Sequence, residues 1–211
     1  MDLHAAARKY HIYENKKILY IYRSNRKDAP YESYEAFFGN ENFMHLAGFK
    51  KGTISAAEFY NRCLLNTLHI CDAEFKESRK AASAKLDVLQ MLFDYRHVKI
   101  YKAGDADLIR EKNRFETGIG NGGGILGFDR RKQPPALPVP VTVMKRPLTD
   151  YVSQPKNVVA VLIKNYDSDY YDGVVGCVAN GIKANVLPHK IQAKILPSLL
   201  MDKIAVQPQR V

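Results

Sequence analysis

The residues of this sequence with the widest chemical range are six histidines, His4, His11, His45, His69, His97 and His189. None belongs to HExxH, HxH or a His/Cys set at ligand spacing, so metal-assisted hydrolysis finds no support in the sequence. The acidic pairs in "DAD" (105–107) and "DSD" (167–169) lack the loop pattern and trailing glutamate of a calcium site, and such residues are common in turns. No metal and no cofactor is expected. His45 stands apart, set among apolar residues in "NFMHLAGFK" (42–50), which closes on Gly48 and a basic residue. An imidazole there packs a core or, because it titrates near neutrality, moves a proton.

A second chemical candidate is the glycine cluster "TGIGNGGGILG", which contains a formal G-x-G-x-x-G at Gly118, Gly120 and Gly123. A dinucleotide fingerprint needs a strand before it and a helix after it, whereas "ILGFDRR" continues as strand. The expected structure is a hairpin turning at Asn121-Gly122 with positive φ. A phosphate-contacting loop is the alternative, since "RFETG" and "FDRRK" place basic residues beside it. No GK[ST] follows, so an NTPase is not expected.

The chain of 211 residues carries 32 Lys+Arg against 22 Asp+Glu, a net charge of +10 that attracts polyanions, nucleic acid foremost. Basic clusters fall at Arg8-Lys9, Lys16-Lys17, Arg23/Arg26/Lys27, Lys50-Lys51 and Arg130-Arg131-Lys132. Between them lie 13 Tyr and 9 Phe, stacking surfaces suited to single-stranded RNA, although most must pack the fold. Arg23, Arg26, Lys27, Lys50, Arg130, Arg131 and Lys132 are the candidate nucleic-acid contacts. Cys63, Cys71 and Cys177 are odd in number and without a CxxC pair, which favours reduced, structural thiols. No apolar run is long enough for a membrane span and the N-terminus lacks a secretory h-region; the cytoplasm is the expected compartment.

The elements that must position these residues read as one α+β domain over 1–211. "HAAARKY" is a short helix and "KKILYIYRS" a strand. "YESYEAFFG" alternates, with Tyr31, Ser33, Glu35 and Phe37 on one face and Glu32, Tyr34, Ala36 and Phe38 on the other; "NFMHLAG" is expected to pair with it as a second strand turning at "GNEN". Ser55 and Glu58 form a capping-box signature for a helix over about 55–70, whose stripe of Ala56, Phe59, Tyr60, Cys63, Leu64, Leu68 and Cys71 predicts both cysteines buried. "RKAASAKLDVLQMLFDYRHV" is a second helix, and the two make a helical hairpin at about 55–97. "VKIYKA", "NRFETGIG", "GGILGF", "VPVTVMK" and "NVVAVLIKNY" follow as strands. "KQPPALPVP" is a stiff connector, and a C-terminal tail from about 188 opens with a helix at Pro188.

On these residues a resemblance can be stated. "ENFMHLAGFKKGTISAAEFYNRCL" resembles the core motif of a phage-associated group in the barnase/EndoU/colicin/RelE-like (BECR) nuclease superfamily, where a strand F-x-H-L-(T)-G leads into a helix A-x-x-F-Y-x-x-C. Phe43, His45, Leu46, Gly48, Ala56, Phe59, Tyr60 and Cys63 match it. Ala47 stands where the group often has threonine. "SAKLDVLQML" is similar to its second helix, "LGF" (126–128) to a glycine-containing strand and "VVAVLIKNYDSDYY" to its last strand, so that the likeness spans about 10–175. It implies a BECR-like antiparallel sheet with an N-terminal helix and an inserted helical hairpin.

The activity so implied is a metal-independent endoribonuclease of phage or mobile-element origin, toxin-like and acting on structured RNA. Such an enzyme removes the 2′-hydroxyl proton, stabilises a phosphorane and protonates the leaving oxygen, with His45 as base or acid and Lys85 and Lys164 neutralising charge. The alternative is a catalytically inactive BECR-like protein whose basic surface binds nucleic acid or blocks a host defence complex. RNA, and a cognate antitoxin or host defence protein, are the expected partners; no membrane is.

Overall fold

The computed structural model describes residues 1–26, 28–94, 101–102, 115–130, 137–151, 155–177, 180–201 and 203–205. Helix α1 (Leu3–His11) starts where the Asp2 carboxylate accepts the Ala5 amide at 2.8 Å, and it buries Ala6, Ala7 and Tyr10. Strands β1 (Lys16–Arg23) and β2 (Glu32–Phe38) follow, antiparallel, with Lys17 opposite Phe37 and Leu19 opposite Glu35. The alternation expected of β2 is present, since Ala36 and Phe38 enter the main core.

The next segment is helix α2 (Asn42–Leu46), not the strand expected of "NFMHLAG". Asn42 decides it: its side chain accepts the Gly39 amide at 2.9 Å and its own amide donates to the Gly39 carbonyl at 3.1 Å, which turns the chain out of β2. Phe43, Leu46 and Ala47, at i, i+3 and i+4, are then buried together and His45 is left outside.

After β3 (Phe49–Lys50), helix α3 (Ala56–Leu64) begins at Ser55, whose hydroxyl accepts the Glu58 amide at 3.1 Å. It ends earlier than expected, with Asn66 at φ 58° and the Thr67 amide on the Arg62 carbonyl at 2.8 Å. Cys63 is therefore in the core as predicted, whereas Cys71 lies beyond the helix in the 3-10 turn Ile70–Asp72 and is exposed. Strand β4 (Glu74–Phe75) pairs with β3, and Ser78 caps α4 (Arg79–Leu92), which buries Ala82, Leu86 and Leu89. Both α3 and α4 dock on α1 and α2.

The remaining strands are β5 (Tyr101–Lys102), β6 (Thr117–Gly120), β7 (Ile125–Arg130), β8 (Pro138–Met144), β9 (Lys156–Asn165) and β10 (Gly173–Cys177). The β6–β7 connection is the predicted hairpin, but positive φ does not make it: the Asn121 side chain accepts the amides of Gly123 and Gly124 at 2.8 and 3.1 Å. The glycine at 124 serves a close approach, for a Cβ there would stand 2.2 Å from Val88 Cγ1 on α4.

The main sheet runs β2-β1-β9-β5-β6-β7-β8, with β10 also on β9, antiparallel throughout. Register shifts at Ile21/Tyr22, Val174/Gly176 and Gly127/Phe128 are the irregularities that bend and twist such sheets, and β8 comes back against β2. One face packs α1–α4, with Ile18, Tyr20, Val161 and Ile163 among its core residues. The other carries Leu19, Ile21, Ala160 and Leu162. It is covered by β11 (Ile182–Lys183), α5 (His189–Gln192), α6 (Pro197–Leu200) and β12 (Lys203–Ile204), through Leu187, Ile191, Ile195 and Ile204. The segment from 188 is thus packed, and its helix is broken in two before Pro197.

Candidate functional site

His45 is the exposed position of α2, flanked on both sides by buried residues, and among the described residues no side chain hydrogen-bonds its ring. Its carbonyl accepts the Gly48 amide at 3.1 Å, and Gly48 adopts φ 85°. That left-handed turn lies against α4: a Cβ on Gly48 would meet Ala82 Cα at 3.0 Å and Lys85 Cδ at 3.3 Å. The Lys85 stem thus runs beside the turn that follows His45, while its ammonium pairs with Glu77 at 3.2 Å. Ala47 is fully buried, so a threonine hydroxyl in its place would face the core and not a phosphate.

Lys164 is elsewhere. Ile163 enters the helix-side core and the next residue of β9 points to the other face, so the sheet separates Lys164 from His45 and Lys85. The three predicted catalytic residues do not converge. Lys164 instead belongs to a polar cluster at the end of the sheet where β1 begins and β9 ends. Lys17 is directly opposite it across the β1–β9 pair. The Lys164 ammonium donates to the Asp169 carbonyl at 2.9 Å and sits 4.9 Å from the centre of the Tyr171 ring. Burial, then the charge of Lys17, lowers its pKa. The Glu35 carboxylate takes the Tyr171 hydroxyl at 2.8 Å and the Lys194 ammonium at 2.6 Å. Burial pushes Glu35 up, but those two hydrogen bonds and the charges of Lys194 and Lys164 outweigh it, holding the carboxyl below its ordinary range.

The sequence reading passed over Glu35, Tyr171 and Lys194; its one available signal was a carboxylate on the face of β2 opposite Ala36 and Phe38. It also gave no role to His11, whose Nδ1 lies 2.7 Å from Glu14 Oε2 and 3.1 Å from the Tyr60 hydroxyl. Tyr60 donates to the same carboxylate at 3.1 Å, and its pKa is raised by burial and by Glu14.

Among the described residues the predicted nucleic-acid contacts fall on separate elements. Arg23 closes β1 at the end opposite Lys17 and stacks 5.1 Å from the Tyr31 ring centre, with Arg26 exposed in the following turn. Lys50 is paired with Glu74 at 2.7 Å. Arg130 is the last residue of β7, and Lys27, Arg131 and Lys132 lie outside the described residues, as does 105–107. Among the described residues no group of three or more His, Cys, Asp or Glu is placed to hold a metal ion, and no helix is long and apolar enough to cross a membrane.

Helices α1–α4 stacked on one face of a curled antiparallel sheet, with an imidazole presented at the surface beside a lysine-bearing helix, define an α+β protein of the fold class that the resemblance of "ENFMHLAGFKKGTISAAEFYNRCL" implies. The model of the phage-Barnase-EndoU-ColicinE5/D-RelE like nuclease 4 family matches residues 2–175, and the chain belongs to that nuclease family. Nucleic acid is the class of substrate this membership implies. No curated protein and no solved structure matches the chain.

Proposed function

We propose that the chain is a metal-independent endoribonuclease of phage or mobile-element origin, toxin-like and acting on structured RNA, in which His45 transfers the proton. The observation that supports it is the exposure of the His45 imidazole on a helix whose neighbouring side chains are buried and anchored. In that reaction the base takes the 2′-hydroxyl proton, the 2′-oxygen bonds to phosphorus, and the P–O5′ bond breaks as the leaving oxygen is protonated, leaving a cyclic phosphate. An imidazole can both take and give a proton, so it suits either step. Lys85, beside the Gly48 turn, is the cation for the developing phosphorane charge once it leaves Glu77.

The test is cleavage of structured RNA in EDTA by wild type, His45→Ala and His11→Ala. A fall of about 10²–10⁴ in His45→Ala alone is expected for a lost general acid–base. Full activity in folded His45→Ala overturns the assignment, and loss confined to His11→Ala moves the role to the imidazole that Glu14 orients. A binding module is the second reading, favoured by the unanchored His45 ring and the paired Lys85 ammonium; steeply salt-dependent RNA binding without cleavage selects it. An antitoxin or host defence protein is the protein partner in either reading, and co-purification from the native host tests for it.

A further inference from the structure

The lysine pair at the sheet end is unexplained by packing. Lys17 and Lys164 face each other directly across an antiparallel pair, where side chains start about 5 Å apart and like charges destabilise. Glu35 does not resolve this, because it is already bonded to Tyr171 and Lys194 and reaches Lys164 only through space. Asp169 also attracts Lys164, yet the hydrogen bond there is to its carbonyl. Lys17 has moved over an aromatic ring, its ammonium 4.3 Å from the centre of Tyr166. Tyr166 itself is 52% exposed and meets Phe37 edge-on at 5.1 Å. Two lysines facing each other, one with its ammonium over the exposed ring of Tyr166, match one nucleotide of an unpaired strand: a phosphodiester has two non-bridging oxygens, one for each ammonium, and its base is free to lie on a ring.

We propose that Lys17, Lys164, Tyr166 and Phe37 form a nucleotide subsite, in which a backbone phosphate of single-stranded RNA bridges the two lysines and the adjacent base stacks on Tyr166. The subsite rests on the nucleic-acid reading above but not on His45, which lies on the other side of the sheet. It engages unpaired segments of a structured RNA, because a paired base offers no free face to the tyrosine. One anion between the lysines also offsets the repulsion between their like charges.

The experiment is fluorescence anisotropy of the full chain with a short labelled single-stranded 2′-O-methyl RNA, which resists 2′-hydroxyl chemistry, and with the same sequence as a duplex. Wild type is expected to prefer the single strand. Lys17→Ala is expected to bind about tenfold more weakly, with the slope of log K against log salt reduced by about one. Tyr166→Ala is expected to lose roughly tenfold, the range of one base–aromatic stack, with the salt slope unchanged. Lys17→Arg restores binding, and Lys203→Ala, an equal charge change at an exposed position of β12, leaves it as in wild type. Wild-type affinity in Lys17→Ala and Tyr166→Ala, or equal affinity for the duplex, overturns the subsite even if the protein cleaves RNA. Binding that follows the expected pattern in a protein that cleaves nothing supports the subsite and refutes only the nuclease reading.

Discussion

Replacing Gly48 by alanine tests whether the turn after His45 is held by α4 as described. Two costs add. An L-residue held at φ 85° is in the left-handed region, at roughly 1–2 kcal/mol. The new methyl would also stand 3.0 Å from Ala82 Cα, a backbone atom, and 3.3 Å from Lys85 Cδ, so part of the helix must shift and not merely one flexible side chain. Forced overpacking of that kind costs roughly 1–3 kcal/mol. Against these, alanine restricts the unfolded chain, which returns about 0.4–1 kcal/mol. The net loss is about 1–4.5 kcal/mol, and at roughly 2–4 °C per kcal/mol for a chain of this size Tm falls by about 2–18 °C. Differential scanning calorimetry measures it. Because the clash displaces the Lys85 stem, RNA cleavage at a temperature where the variant is folded is expected to fall as well. A Tm within 2 °C of wild type, measured to about that precision, refutes the proposed contact between the turn and α4.

Ile191→Ala removes a fully buried side chain from the second core and is expected to cost about 2–5 kcal/mol, read from urea midpoints. Glu35 contributes stability that depends on pH: its folded pKa lies below the ordinary 4.5, so the contribution is complete above that value and is lost as pH falls through the folded value. The Tm difference between wild type and Glu35→Gln is therefore expected to shrink on acidification below about pH 4.5, the ordinary value for this carboxyl, and a constant difference refutes the ion pair. Thiol reagents are expected to label exposed Cys71 in the folded protein and Cys63 only on unfolding, since burial raises the Cys63 thiol to about 12. Mass spectrometry of the labelled peptides distinguishes them.

What was legible in the sequence was local. The Ser55 cap, the alternation of β2 and the Asn121 turn each depend on residues within a few positions of one another, and each was read in the right place. The segment 42–48 was not, because Phe43, His45 and Ala47 fit a strand as well as Phe43, Leu46 and Ala47 fit a helix; only the Gly39–Asn42 turn and the docking of α2 decide between them. Cys71 was misplaced because nothing apolar marks the left-handed Asn66 that stops α3. The separation of Lys164 from His45 follows from which face of β9 meets α1–α4, and that depends on packing between segments far apart in the chain. The Glu35 cluster joins residues 136 and 159 positions apart, for which no local pattern exists.

The family match stops at residue 175, within β10, yet the chain beyond it supplies Leu187, Ile191, Ile195 and Ile204 and the ammonium that meets Glu35. A boundary drawn by homology therefore cuts through a folding unit. Expression of 1–175 alone would leave Leu19, Ile21 and Leu162 as a bare greasy floor and strip a carboxylate of its cation. Here the cover over that floor is built in, and any trimmed version of this protein needs a substitute for it before its chemistry can be judged.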